Sequence, residues 1–136
     1  MPEVKKIHHV AILVEDLAES LKFWQETLGI QPSHVADFPS ESARIAFLPL
    51  GEAEIELVQP TSPDTGLSRF LEKRGEGIHH LCVEVDDLPG MLDNLKSKDI
   101  QLINEEPRQG EDGRLYAFIH PKSTHGVLVE LYQLPK

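Results

Sequence analysis

The same pattern of hydrophobic and polar residues occurs twice along the chain. Residues 7–24 and 78–95 align with an offset of 71 and both begin with Ile-His-His. Seven of the eighteen aligned positions are identical, and each segment continues with an Asp followed by regularly spaced leucines. A repeat of this length indicates two copies of one structural unit packed together. We therefore predict two equivalent modules.

Each module is predicted to contain a strand, a helix and three further strands. In the first module, the β-rich segment from Ile7 to Val14 indicates a strand. Asp16 is a helix cap, and the apolar residues that follow it recur at helical spacing as far as Leu28. Further strands are predicted at 33–37, 43–50 and 54–58. The second module repeats these elements at 78–85, 87–97, 101–105, 114–119 and 127–132.

The 136 residues therefore indicate one α+β domain. Its two βαβββ modules are predicted at residues 4–60 and 77–134. A short helical connector, residues 61–76, is expected to start near Ser62 and to join them.

Charge and composition narrow the class of function. Thirteen Lys and Arg against twenty-three Asp and Glu give a net charge of −10, which argues against binding to nucleic acid or to anionic membranes. No apolar run is longer than the five residues of Val10–Val14, which is too short to cross a membrane. Cys82 is the only cysteine, and the N-terminal residues lack the pattern of a signal peptide. We expect a cytoplasmic protein.

Strand alternation suggests a metal site. It places His9 in the first strand, and His80 in the equivalent strand, on the side away from each module's helix. Glu56 and Glu130, in the last strand of each module, lie on the corresponding side. An isolated strand His or Glu is usually structural or solvated, but four at repeat-related positions indicate a shared site. Imidazole and carboxylate ligands suit Zn²⁺, Co²⁺, Ni²⁺, Mn²⁺ or Fe²⁺.

Four such ligands leave two positions of a six-coordinate ion open to a substrate that chelates through two oxygens. His8 and His79 precede the two predicted ligands and are expected on the helix side of their strands, as structural residues.

Four sequence motifs then resemble a known family. They are H-H-V-A at 8–11, I-E-L-V-Q-P at 55–60, G-I-H-H-L-C-V-E-V-D-D at 77–87 and F-I-H-P-K-S-T-H-G-V-L-V-E-L at 118–131. With them, nearly the whole chain resembles the vicinal oxygen chelate (glyoxalase/bleomycin resistance) superfamily and, within it, the methylmalonyl-CoA epimerases. The resemblance implies a cupped mixed β-sheet, a homodimer and one divalent metal ion per chain (Co²⁺, Zn²⁺, Mn²⁺ or Ni²⁺). It places the metal ligands at His9, Glu56, His80 and Glu130, the positions found from the strand faces.

The implied activity is that of an isomerase, which interconverts (R)- and (S)-methylmalonyl-CoA by a 1,1-proton transfer through a metal-stabilised enolate. Such a reaction needs a proton acceptor on one face of the carbon and a donor on the other. Glu130 and Glu56 are the candidates. In some epimerases a carboxylate on the third strand serves as a base, whereas this chain has Ile45 at that position.

The implied partner is an acyl-CoA, and three cations are candidates for holding its phosphates: Lys122, Arg108 and Arg114. Two other functions remain open. A glyoxalase I-like lactoylglutathione lyase would share the ligands and the enolate chemistry, and a non-catalytic binding protein of the superfamily would need no metal. The His-Pro-Lys segment at 120–122, followed by G-V-L-V-E-L, favours the epimerase.

Overall fold

The computed structural model describes residues 2–110 and 112–135. Strands and helices alternate along these residues, which confirms the α+β class. The elements are β1 (Val4–Leu13), α1 (Leu17–Leu21, continued by a π-helical segment Lys22–Thr27), β2 (His34–Phe38), β3 (Ala43–Leu50), β4 (Ala53–Pro60), α2 (Gly66–Arg74), β5 (Gly77–Val85), α3 (Leu88–Ser97), β6 (Arg108–Gln109), β7 (Leu115–Ile119) and β8 (Val129–Gln133).

The chain divides into two compact units. The central unit is Val10–His79, and the terminal unit is Met1–His9 together with His80–Lys136. In the central unit the strands follow one another in the order β2-β3-β4-β1. In the terminal unit the order is the start of β1, then β5, β8, β7 and β6. β5 and β8 run parallel, whereas β8 and β7 run antiparallel.

The central unit packs α1 on one side of its strands. The side chain of Asp16 accepts a hydrogen bond from the Glu19 N–H and caps the helix, as the sequence predicts. Leu17 then lies in a buried cluster with Leu48 and Leu57 of β3 and β4.

The connector helix α2 covers a second cluster of the central unit. Thr65 caps this helix through its hydroxyl, so α2 begins later than the predicted start near Ser62. Phe70 of α2 packs with Leu67 and Leu71 against a cluster that contains Leu13 and Ile45. On the side of β1 that α1 does not cover, the residues after His9 are therefore apolar, and α2 buries them.

The N-termini of α3 and α1 are held by the same kind of hydrogen bond, each within its own unit. The side chain of Gln133, at the end of β8, accepts a hydrogen bond from the Leu88 N–H at 2.6 Å. In the central unit the side chain of Gln59, at the end of β4, accepts one from the Leu17 N–H at 2.8 Å. These two glutamines hold equivalent helix ends, which is what the repeat predicts.

The prediction of a strand at 101–105 is wrong. In that segment only Leu102 forms a β-bridge, to Ile119 of β7. The side chain of Asn104 accepts a hydrogen bond from the Phe118 N–H at 2.9 Å, so a side chain replaces the strand partner that a backbone carbonyl would supply. A short strand forms instead at Arg108–Gln109. Among residues 2–110 and 112–135, no helix has the length and hydropathy needed to span a bilayer.

Candidate metal centre

Three of the four predicted metal ligands meet in the terminal unit. The Glu130 Oε1 atom lies 3.0 Å from His80 Nε2 and 3.4 Å from His9 Nε2. The two Nε2 atoms are 3.2 Å apart. His9 is 1% exposed and Glu130 is 5% exposed, so these two side chains are shielded from water. Donor atoms this close, with nitrogen and carboxylate chemistry, fit a single divalent ion.

Strand pairing explains why these side chains meet. Glu130 of β8 pairs with Cys82 of the parallel strand β5 and with Phe118 of the antiparallel strand β7. Because side chains alternate along a strand, His80 lies on the same side of β5 as Cys82, two residues away. The Phe118 ring stands edge-on to the His80 ring, with centroids 5.5 Å apart, and forms an apolar wall beside the group.

The carboxyl group of Glu130 is held in its charged form. Burial acts to raise its pKa, but hydrogen bonds from His80 and His9 outweigh burial and lower the pKa to about 2. Glu130 is therefore a carboxylate at neutral pH, the form that binds a cation.

The ring of His8 is also part of this centre, which contradicts the prediction that it lies on the helix side. Its Nδ1 atom is 2.8 Å from the Nδ1 atom of His9, and its ring centroid is 4.8 Å from that of the buried Tyr132. Burial, followed by the neighbouring His9, lowers the pKa of His8 to about 4. His79, at the equivalent position of the repeat, instead packs on Phe70 of α2 at 4.7 Å.

Glu56 lies in the central unit. It pairs with Phe47 across β3 and β4 and is partly buried. Its assignment as the fourth ligand and as a base stays a prediction. Ile45 is 7% exposed and belongs to the apolar cluster under α2, so the third strand offers no carboxylate at this position.

The three cations predicted to hold phosphates have different surroundings. Arg114 stacks over the Tyr132 ring at 5.0 Å, and its guanidinium lies 3.6 Å from the Asp112 carboxylate. Arg108 is exposed on the short strand β6. Lys122 is exposed in a single 3-10 turn, Pro121–Ser123, which the side chain of His120 caps by accepting the Lys122 N–H.

Sequence reasoning missed one contact of the centre. His8, His9 and Cys82 have donor atoms within 4.8 Å of one another, and the consecutive histidines were the signal for this contact. Glu84, on the side of β5 shared by His80 and Cys82, has a buried Oε1 atom with no hydrogen-bond partner among the described residues.

Comparison with known proteins places the chain in a family. Residues 8–118 match the glyoxalase/bleomycin resistance protein/dioxygenase superfamily. The mitochondrial methylmalonyl-CoA epimerase of Homo sapiens is 38% identical over 94% of this chain and 73% of its own length. The ethylmalonyl-CoA/methylmalonyl-CoA epimerase of Cereibacter sphaeroides is 35% identical over 96% of this chain and 99% of its own length.

A solved structure has the same fold over nearly the whole chain. It is a methylmalonyl-CoA epimerase in complex with methylmalonyl-CoA and NH4+, with a TM-score of 0.86 and 30% identity. The match covers 96% of this chain and 95% of that one. The chain therefore belongs to the glyoxalase/bleomycin resistance protein/dioxygenase superfamily and, within it, to the methylmalonyl-CoA epimerase family.

Proposed function

We propose that this chain is a metal-dependent methylmalonyl-CoA epimerase, which interconverts the (R) and (S) forms of its substrate. The observation that carries the proposal is the buried group of His9, His80 and Glu130, in a chain that is 38% and 35% identical to two methylmalonyl-CoA epimerases. The complex of the similar solved structure supports an acyl-CoA as the substrate class.

The donor set supports one divalent ion per chain. Two imidazole nitrogens and a deprotonated carboxylate suit Co²⁺, Zn²⁺, Mn²⁺ or Ni²⁺, and Glu56 is the proposed fourth ligand. When bound, such an ion acts as a Lewis acid that stabilises negative charge on the oxygens of an enolate. The Phe118 ring beside His80 and the burial of His9 would limit the access of water to such an ion, which would strengthen its electrostatic effect.

The proton on the carbon between the carboxylate and the thioester must leave on one face and return on the other. Glu130 is the proposed acceptor on one face, because its carboxylate is deprotonated at neutral pH and can take up a proton. Glu56 is the proposed residue for the other face. A positioned acid or base of this kind contributes about 10²–10⁴-fold to the rate.

Lys122, Arg108 and Arg114 are the proposed contacts for the phosphates of the substrate. Lys122 and Arg108 are exposed and charged, which suits a phosphate. Arg114 already has Asp112 and the Tyr132 ring as neighbours, so we expect it to contribute less than the other two. The homodimer and the cytoplasmic location are further proposals, which sedimentation and cell fractionation will test.

Chiral separation of the reaction mixture tests the proposed activity. Metal-loaded protein mixed with (S)-methylmalonyl-CoA should produce the (R) form until the two epimers reach equilibrium. The hemithioacetal of methylglyoxal and glutathione should not be turned over at a comparable rate. Turnover of the hemithioacetal alone would support a lactoylglutathione lyase. Binding without turnover of either compound would support a non-catalytic protein.

A further inference from the structure

His8 contacts the metal centre without belonging to its group of closest donor atoms. Its Nδ1 atom lies 2.8 Å from Nδ1 of His9, and the two rings meet edge-on at 5.1 Å. The other ring nitrogen of His9, Nε2, faces His80 and Glu130. The two nitrogens of His9 therefore have separate partners, one inside the metal group and one outside it.

The chemistry of imidazole decides where the ring proton of His9 must lie. A neutral histidine that offers the lone pair of Nε2 to a metal carries its proton on Nδ1. Because His9 is 1% exposed, that N–H needs an acceptor within the protein. The Nδ1 atom of His8 is at hydrogen-bond distance and accepts this bond when the proton of His8 is on its own Nε2 atom.

We propose that His8 is a positioning residue, which accepts a hydrogen bond from the Nδ1–H of His9 and thereby aims His9 Nε2 at the metal. This inference rests on the proposed metal-dependent function. Tyr132 holds the acceptor in place, because its ring lies 4.8 Å from the ring of His8 and is itself 7% exposed.

The residue that precedes the other proposed histidine ligand has a different ring neighbour. His79 precedes the ligand His80 as His8 precedes His9, but its ring packs edge-on against Phe70 at 4.7 Å. His79 therefore supplies a matched control, since it has the same side chain and the same position relative to a ligand but packs on an apolar ring.

Three variants test the hydrogen bond. His8→Phe keeps a flat ring beside Tyr132 and removes the acceptor. His8→Asn places a carbonyl oxygen where Nδ1 stood and restores an acceptor. His79→Phe makes the same chemical change at the control position. The readouts are Zn²⁺ affinity, measured by competition with a fluorescent chelator, and the rate of Zn²⁺ dissociation.

Loss of a hydrogen-bond partner to a ligating histidine typically weakens metal binding by about 10–100-fold. We expect this loss in His8→Phe, with faster dissociation of Zn²⁺. His8→Asn should recover most of the affinity, and His79→Phe should bind Zn²⁺ as the unaltered protein does.

The outcomes separate this inference from the proposed function. Unaltered protein that binds no divalent metal would contradict the proposed metal-dependent function. If the unaltered protein binds Zn²⁺ and His8→Phe binds it equally well, the inference alone is wrong. It is also wrong if His8→Asn binds Zn²⁺ as weakly as His8→Phe does. A third contrary result is that the unaltered protein binds two Zn²⁺ ions per chain and His8→Phe binds one, because His8 would then be a ligand.

A measurement on the unaltered protein keeps the test valid if His8→Phe does not fold. In ¹⁵N-histidine-labelled protein loaded with Zn²⁺, NMR should show the His9 proton on Nδ1 and a nitrogen–nitrogen coupling across the bond to His8 Nδ1. A His9 ring that carries its proton on Nε2 would contradict the proposal.

Discussion

The substitution Glu130→Gln should abolish epimerase activity more completely than it removes the metal. The amide keeps the size of the side chain and one carbonyl oxygen that can coordinate a cation, but it cannot accept a proton at neutral pH. If Glu130 is a base, the rate of epimerisation in the metal-saturated variant should fall by about 10²–10⁴-fold.

The structure also gives the size of the electrostatic change. The pKa of Glu130 is lowered from 4.5 to about 2, so the metal-free fold stabilises the charged over the protonated carboxyl by about 3 kcal/mol more than the unfolded chain does. Glutamine resembles the protonated form in shape and charge. We therefore expect metal-free Glu130→Gln to lose up to about 3 kcal/mol of stability at pH 7, and much less at pH 2.

The assay is turnover of methylmalonyl-CoA at saturating metal, with bound metal counted in the same samples. Glu84→Gln is the matched control, because it makes the same charge change on the side of β5 that His80 occupies and leaves the metal group intact. Near-normal turnover in metal-saturated Glu130→Gln would show that Glu130 is a ligand only, and the assignment of a base to β8 would be wrong.

Three further results are expected. Chelation with EDTA should remove activity and Co²⁺ or Zn²⁺ should restore it; activity that persists in fully stripped protein would exclude the metal-dependent mechanism. Acid should destabilise the metal-free protein in two steps, because His8 and Glu130 both have lower pKa values in the folded than in the unfolded chain. The free energy of unfolding should fall between about pH 6.5 and 4 as unfolded chains gain a proton at His8. It should fall again between about pH 4.5 and 2 because of Glu130. Urea unfolding across this range measures both steps, and a flat profile between pH 7 and 4 would contradict the first. Gln59→Ala and Gln133→Ala should each cost about 1 kcal/mol, since each removes the acceptor for a helix N-terminus; strongly unequal losses would argue against equivalent helix docking in the two halves.

Much of the fold follows from the repeat. α1 and α3 begin after Asp16 and Asp87, as the sequence predicts. An Asp directly before a segment of helical apolar spacing favours a helix N-terminus, because its side chain accepts a hydrogen bond from the first turn. The prediction of a strand at 101–105 is wrong because strand propensity does not show which acceptor a backbone N–H will bond. There, the side chain of Asn104 takes the bond of Phe118.

The meeting of His9, His80 and Glu130 was predictable because strand alternation, applied to two related segments, selects one side of the sheet. His9, His80 and Glu130 meet as that argument requires. His8 was not predictable by the same rule, since alternation assigns it to the opposite side. Its ring reaches Tyr132, and this contact comes from β8, more than a hundred residues away in the sequence.

Exchange of the substrate α-proton with solvent is the most direct test of the central claim. Metal-loaded protein is incubated with one epimer of methylmalonyl-CoA in D₂O, and the α-carbon is analysed by mass spectrometry. We predict that one deuterium enters as the other epimer forms, that EDTA stops both processes, and that added Co²⁺ restores them. Metal-loaded protein that leaves the α-carbon without deuterium would contradict the claim that this chain is an epimerase.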